Sequence, residues 1–267
     1  MLNTKFFEIV RRAGELMRSY SCPAVRQKEG HADFVTEADE AVQAYLMEAL
    51  HRQIPSAAFL AEEGEHAALT DALTFIIDPI DGTTNYFRGR RSSVISVGLV
   101  EGKRAVAGAV YDPYHDLMYH AERGQGAWCE GERLRVSELP IGQALVELGT
   151  SPYHTDLNAL TAHALEKLLP RVADVRRSGS AALDLCHVAS GTAEGMFEWL
   201  LQPWDYCAGS LLVEEAGGKA GNIFGGEATF SEGIPFMAGS AVCFEALRQI
   251  LWEARDEIGA KGSVDRG

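Results

Sequence analysis

Apolar residues open the chain at helical spacing. Phe6, Val10, Ala13 and Met17 fall on one face of "MLNTKFFEIVRRAGELMRSY", and charges interrupt every apolar stretch around them. The pattern predicts an amphipathic helix packed on a core, and reads as neither a signal peptide nor a membrane span. A second helix is predicted over "TEADEAVQAYLMEALHRQIP". Thr36 caps it, Asp39 takes the capping-box position, Ala38, Val42, Tyr45, Leu46 and Ala49 make the stripe, and Pro55 ends it. After "TFII" the period drops to two. "SSVISVGLVEGKRAVAGAVYDPYHDLMYHA" predicts an antiparallel meander turning at "EGK" and "DPYHD", and "RGQGAWCEGERL" a further hairpin. Helices followed by strands make the first half an α+β unit.

From about Ala144 strand and helix alternate. "ALVELGT", "VADVRR", "EGMFEW" and "KAGNIF" read as strands. Asn158 to Leu169, Ser180 to Ala189, and Asp205 to Ala216 closed by Gly217 and Gly218 read as helices. This half has an α/β rhythm. With no repeat and no flexible linker, two packed halves are expected, residues 1–140 and 141–267, with a boundary near Pro140 and a frayed end at "AKGSVDRG".

A chain of 267 residues, 46% hydrophobic and 23% charged, is large enough to bury a core and globular in composition. The formal charge of −14, from 38 acids and 24 bases, repels nucleic acid and anionic membranes, so neither is expected as a partner. An acidic protein that handles anions needs metal cations or local positive ends. Cys22, Cys129, Cys186, Cys207 and Cys243 are odd in number and scattered, which suits reduced thiols in a cytoplasm.

The stretch "DPIDGTTN", Asp78 to Asn85, follows "TFII" directly. A strand ending at Asp78 delivers a carboxylate where such sheets tend to place chemistry. Pro79 stiffens the turn, so that Asp78, the Ile80 carbonyl and Asp81 converge. These are hard oxygens, which select Mg²⁺ or Ca²⁺. Gly82 and Thr83 can begin a helical turn whose amides cradle an anion. Further acids lie in "LAEEGE" (Glu62, Glu63) and "PWDYCAG" (Asp205), enough for more than one ion. A metal site beside an anion nest implies a phosphate ester, and two ions can clamp an in-line phosphoryl displacement. Taken singly, each feature has a plainer reading: a solvated Asx turn, an exposed charge run, a helix N-terminal acid at Asp205, a capping residue at Asp39. Their conjunction carries the argument. The motifs pair no Cys or Ser nucleophile with a base.

With these motifs in hand, the chain resembles the inositol monophosphatase family of the lithium-sensitive, magnesium-dependent phosphatase superfamily. "KEGHADFVTEAD", "AEEGE", "DPIDGTTN", "VYDP", "RGQGAWCEGERL", "RRSGSAALDLCHVASG" and "WDYCAGSLLVEEAGG" occur in the family's order. The resemblance implies a layered αβαβα sandwich, a homodimer, and two to three Mg²⁺ ions between the halves. It implies Glu62, Asp78 and the Ile80 carbonyl as ligands of a first ion and Asp78, Asp81 and Asp205 of a second. A third, weaker ion would use Glu62 and, through water, Asp39. Glu62 and Thr83 match the pair that activates the attacking water, and the Gly82 and Thr83 amides match the phosphate cradle. The alcohol contacts fall on Asp81, the Gly179-Ser180-Ala181 turn, Glu198 and Asp205, with Lys28 and Asp33 flanking the site.

Two departures stand out. Gly64 follows the paired glutamates where relatives commonly have Ser or Thr, and "YFRGRRSSV" puts Arg88, Arg90 and Arg91 in a loop that more often carries a proline and an aromatic. That loop is either a solvated basic segment or a reader of a second anionic group on the substrate. The expected substrate is inositol 1-phosphate with related sugar and polyol phosphates. Histidinol phosphate, a 3′-phosphorylated nucleotide and fructose 1,6-bisphosphate are the alternatives, and "DGTTN" rather than "DGTK" favours the inositol type. A non-catalytic regulator keeping the fold is the alternative from another class.

Overall fold

The Asn3 side chain accepts from the Phe6 amide at 2.9 Å and so starts α1 (Thr4–Ser19), whose buried face holds Phe6, Ile9, Val10, Ala13 and Met17. The computed structural model describes residues 2–20, 24–28, 34–64, 69, 71–226 and 228–264. Asp33 and Cys22 lie outside the described residues. A ribbon of β1 (Val25–Gln27) and β2 (Phe34–Thr36) leads into α2 (Glu37–Gln53), which Thr36 and Asp39 open with the reciprocal capping box that the sequence predicts.

Next come β3 (Ala58–Ala61), β4 (Leu73–Asp81), a short helix α3 (Thr83–Phe87), β5 (Val94–Glu101), β6 (Arg104–Asp112), β7 (Leu117–Glu122), β8 (Ala127–Cys129) and β9 (Glu132–Arg133). These strands pair in chain order into a seven-stranded sheet, parallel only between β3 and β4. The predicted meander is β5 to β7 and the predicted hairpin is β8 and β9.

A second sheet is built from β10 (Leu145–Leu148), β11 (Asp174–Arg176), β12 (Gly195–Leu201), β13 (Lys219–Asn222) and β14 (Ile234–Gly239), in the order β11-β10-β12-β14-β13. Between its strands run α4 (Asn158–Leu168), α5 (Ala181–Ala189) and α6 (Pro203–Glu215), and α7 (Phe244–Val264) closes the chain. Several of these depart from expectation. The helix assigned to Asp205 onward begins at Pro203, because a proline suits the first helical position and Gln202 caps it. Of the stretch expected to fray, residues 260–264 are helical and 265–267 lie outside the described residues, and Phe244, Leu247, Ile250, Leu251 and Ala254 anchor that helix in the core. The β1–β2 ribbon, β14 and α7 had no sequence expectation.

The elements stack as helices, sheet, helices, sheet, helices. Val10, Met17, Val42 and Leu46 of α1 and α2 cover the outer face of the large sheet with Ile77 and Ile95. Leu185 of α5 and Leu211 of α6 fill the middle layer, against Ile76 and Val110 of one sheet and Met196 and Phe236 of the other. Leu168 of α4 and Leu247 and Leu251 of α7 cover the outer face of the small sheet. Ile76 and Ile77 point into different layers, so "TFII" is an unbroken apolar run because β4 is buried on both faces.

The middle layer sits tight against the large sheet. A Cβ on Gly98 would lie 2.4 Å from Cys207 Sγ, and one on Gly108 would lie 2.9 Å from Ala208 Cα. That close approach brings the first turn of α6, with Asp205, onto the sheet that carries Asp78 and Asp81. Pro140 lies between β9, the last strand of the large sheet, and β10, the first of the small one, and α5 and α6 pack against strands of both sheets. The cysteines described are free thiols, and among the described residues no helix is long and apolar enough to cross a membrane.

Candidate active site

At the end of β4 the ladder with β5 slips. Asp78 pairs with Ser96 and Asp81 with Val94, which leaves one extra residue on β4. Pro79, which has no N–H to give, occupies this bulge. The Ile80 amide donates to Asp78 Oδ1 at 3.0 Å and closes the turn, and the Ile80 carbonyl accepts from the Thr83 hydroxyl at 3.2 Å. The bulge therefore turns both acids to one side and keeps them nearly inaccessible, Asp78 at 2% and Asp81 at 7% exposure.

Gly82 continues the turn with φ of +88°, a left-handed conformation, and a Cβ there would press to 3.1 Å on the carbonyl oxygens of Gly179 and Ser92. Asn85 ends the motif as a clamp. Its side-chain amide donates to the carbonyls of Ser92 at 2.8 Å and Ser178 at 2.9 Å, tying α3 to the loop that leads into α5.

Two helix N-termini from the second half meet these acids. Ser180 Oγ and the Ala182 amide donate to Asp81 Oδ2 at 2.7 and 2.6 Å, and the Gln202 amide donates to Asp205 Oδ2 at 2.7 Å. The positive ends of α5 and α6 thus favour negative charge at both positions. Carboxylate oxygens of Asp78, Asp81 and Asp205 lie within 4.8 Å of one another. Glu62 follows β3, and Gln43 of α2 holds the next residue by bonds to the Glu63 amide (3.0 Å) and carbonyl (2.7 Å). Lys28 Nζ stands 3.5 Å from Glu62 Oε1 and 2.5 Å from Glu63 Oε1. Gly64, the departure noted above, has φ of +101°.

The electrostatics are those of a cation site. Burial, opposed by Lys28, pushes the Glu62 carboxyl up to about 8. Burial also pushes Asp81 up to about 6, against the Ser180 hydroxyl and the Ala182 and Ala181 amides. Asp78 and Asp205 are raised by burial first and then by the neighbouring carboxylates, and Asp39 is raised by burial against bonds from Thr36 and Thr83. Acids crowded in this way either share protons or share a cation. Carboxylates and a carbonyl form an all-oxygen donor set, which fits Mg²⁺.

Glu62, Asp78, Ile80, Asp81 and Asp205 line a cleft of about 1290 Å³. Glu198 of β12 also lines it and accepts from the Ser151 amide at 2.6 Å and the Ser151 hydroxyl at 3.2 Å. Burial, against these bonds, raises the Glu198 carboxyl to about 7. Gly149 makes room for this side chain, since a Cβ there would fall 1.7 Å from Glu198 Oε2.

A model of the inositol monophosphatase family matches residues 3–256. The chain belongs to that family. It is 38% identical to the inositol-1-monophosphatase of Rhizobium meliloti over 230 residues, 84% of each chain. It is 35% identical over 254 residues, 93% of each chain, to a Salmonella typhimurium protein named Nus factor SuhB. The IMPase of Thermotoga maritima superposes with a TM-score of 0.85 at 31% identity, over 94% of this chain and 96% of that one.

Of the positions matched to the inositol monophosphatase family, Lys28, Glu62, Asp78, Ile80, Asp81, Gly82, Thr83, Gly179, Ser180, Ala181, Glu198 and Asp205 all line the one cleft. Asp39 is not among the lining residues and reaches the site through Thr83. The Ser180 hydroxyl is committed to Asp81, so its part in the Gly179-Ser180-Ala181 turn is support of that acid. Arg88 lines the cleft with its guanidinium 5.5 Å from the Phe87 ring centroid, whereas Arg90 and Arg91 are exposed and do not line it. Sequence reasoning missed Gly149, Ser151, His154, Arg177 and Asp184, which also line the cleft. Ser151, with φ of +40° just after β10, is the one whose backbone marks it, but its side chain gave no signal in the sequence.

Proposed function

We propose that this chain is a magnesium-dependent phosphomonoesterase acting on inositol 1-phosphate and related sugar and polyol phosphates, with water attacking phosphorus directly. The observation that carries this reading is the meeting of Asp78, Asp81 and Asp205 oxygens within 4.8 Å, in a cleft that Glu62 and Thr83 also line. Glu62, Asp78, Asp81, Asp205 and the Ile80 carbonyl would hold two Mg²⁺ ions, with Glu62 and Asp39 serving a third. Bound magnesium supplies Lewis acidity, which makes water a better nucleophile and offsets charge on the ester.

The chain's own groups divide the remaining work. Thr83, held by Asp39, orients the attacking water, and Glu62 takes its proton. The Gly82 and Thr83 amides cradle the phosphate oxygens. Glu198 accepts hydrogen bonds from hydroxyls of the alcohol, a form of recognition that discriminates well between polyols. The homodimer belongs to the same reading, and light scattering on the purified chain tests it.

Phosphate release across a panel tests the substrate: myo-inositol 1-phosphate, histidinol phosphate, fructose 1,6-bisphosphate and 3′-phosphoadenosine 5′-phosphate. Preference for the inositol ester supports the role given to Glu198. Preference for a doubly charged or nitrogenous ester moves specificity to Arg88 and Arg177. The Salmonella relative is named a Nus factor, which favours a second reading, a non-catalytic regulator that keeps the fold. The full acid set supports the enzymatic one.

A further inference from the structure

A second knot of ligating atoms lies beside the first and shares no residue with it. Glu147 on β10 meets Asp184 and His187 on α5, with one potential ligand atom from each within 4.8 Å of the others. Asp184 and His187 are three apart on the helix and so project from one face. His187 Nδ1 is 3.0 Å from Glu147 Oε1. Glu147 is 7% exposed and Asp184 is 2% exposed. One oxygen of each acid, Glu147 Oε2 and Asp184 Oδ1, is buried without a hydrogen-bond partner. Buried carboxylate oxygens are ordinarily paired, so an orphan on each of the two acids of one knot calls for a ligand. Arg176, opposite Glu147 across the β10–β11 ladder, lends that acid its charge but makes its hydrogen bonds to Asp174 and the Val175 carbonyl, so Glu147 Oε2 stays without a donor.

We propose that Glu147, Asp184 and His187 bind one divalent first-row transition-metal ion, zinc in type. An imidazole beside two carboxylates is a mixed nitrogen and oxygen set, which suits such an ion better than magnesium. Ligands about 2.0–2.2 Å from a tetrahedral ion stand about 3.3–3.6 Å apart, so the side chains close in by up to about 1.5 Å to complete the set. The ion ties α5 to β10. Because α5 also gives the Ser180 hydroxyl and the Ala182 amide to Asp81, the ion steadies the helix that supports the neighbouring acid.

Metal content tests this independently of any phosphatase activity. The full chain is dialysed against Zn²⁺ in excess Mg²⁺, freed of loose metal, and its zinc counted by plasma mass spectrometry. The wild type is expected to keep one zinc per chain, and Asp205→Asn to keep it as well. His187→Ala and Glu147→Gln are expected to lose affinity by at least about 10-fold. Absence of zinc from the wild type overturns the proposal, as does zinc that persists in His187→Ala and leaves with Asp205→Asn. Should a variant fail to fold, zinc-edge X-ray absorption of the wild type decides. One imidazole nitrogen among oxygens is expected, and an all-oxygen shell overturns the site.

Discussion

The Thr83 hydroxyl lies 3.2 Å from Asp39 Oδ1, while the other oxygen of that carboxylate, Oδ2, accepts from the Thr36 amide at 2.8 Å. One acid therefore starts a helix with one oxygen and faces the candidate site with the other. Its helix-capping role is not an alternative to a place in the site, because the two roles use different atoms.

Replacing Thr83 with Val removes the hydroxyl and keeps the shape. If that hydroxyl orients the attacking water, kcat falls by about 100-fold or more while KM changes little. Steady-state kinetics on a variant shown to be folded checks this, and a kcat near that of the wild type refutes the role.

Glu198→Gln keeps the bonds that Ser151 donates but removes the charge. Discrimination among polyol phosphates should narrow, with smaller change in the rate on the poorest substrate. An equal loss on every substrate would place Glu198 in support of the fold and not in recognition.

Asn85→Ala leaves the carbonyls of Ser92 and Ser178 without their donor. The expected loss is about 1–3 kcal/mol, read as a melting temperature lower by about 2–4 °C per kcal/mol. An unchanged melting temperature would show that the clamp contributes nothing.

The metal-free protein should become less stable as pH rises. Glu62, Glu198 and Asp81 are raised by folding from ordinary carboxylate values to about 8, 7 and 6. The folded state then binds their protons more tightly than the unfolded state. Stability is greatest where both states are protonated and is lost on climbing through the window from about pH 4.5 to about pH 8. Melting in chelator should fall across that window, Glu62→Gln should flatten the fall, and Mg²⁺, which binds the charged acids, should offset it. A melting temperature that climbs with pH in chelator contradicts the assignment.

Much of this was legible in the sequence where local chemistry decided the outcome. The Thr36 and Asp39 capping box, the β5 to β7 meander and the "DPIDGTTN" turn are each determined by residues a few positions apart. Glu62, Asp78, Asp81 and Asp205 could be gathered before any coordinates because each sits in a short motif. What stayed hidden depends on distant packing. Gly149 reads as an ordinary loop glycine until Glu198 fills the space beside it, and Asn85 reads as a turn residue until Ser178 arrives from the other half. The Glu147, Asp184 and His187 knot likewise needs β10 and α5 to be side by side. The α7 helix is a different kind of miss, because Phe244, Leu247, Ile250, Leu251 and Ala254 recur at helical spacing and carry a local signal as clear as that of α1.

The most direct measurement is phosphate release from myo-inositol 1-phosphate at neutral pH, by the wild type and by Asp81→Asn, each with Mg²⁺ and with chelator. The account predicts release by the wild type with Mg²⁺, none with chelator, and a fall of about 1,000-fold in the folded variant. Release that ignores the chelator, or a variant as active as the wild type, would contradict it.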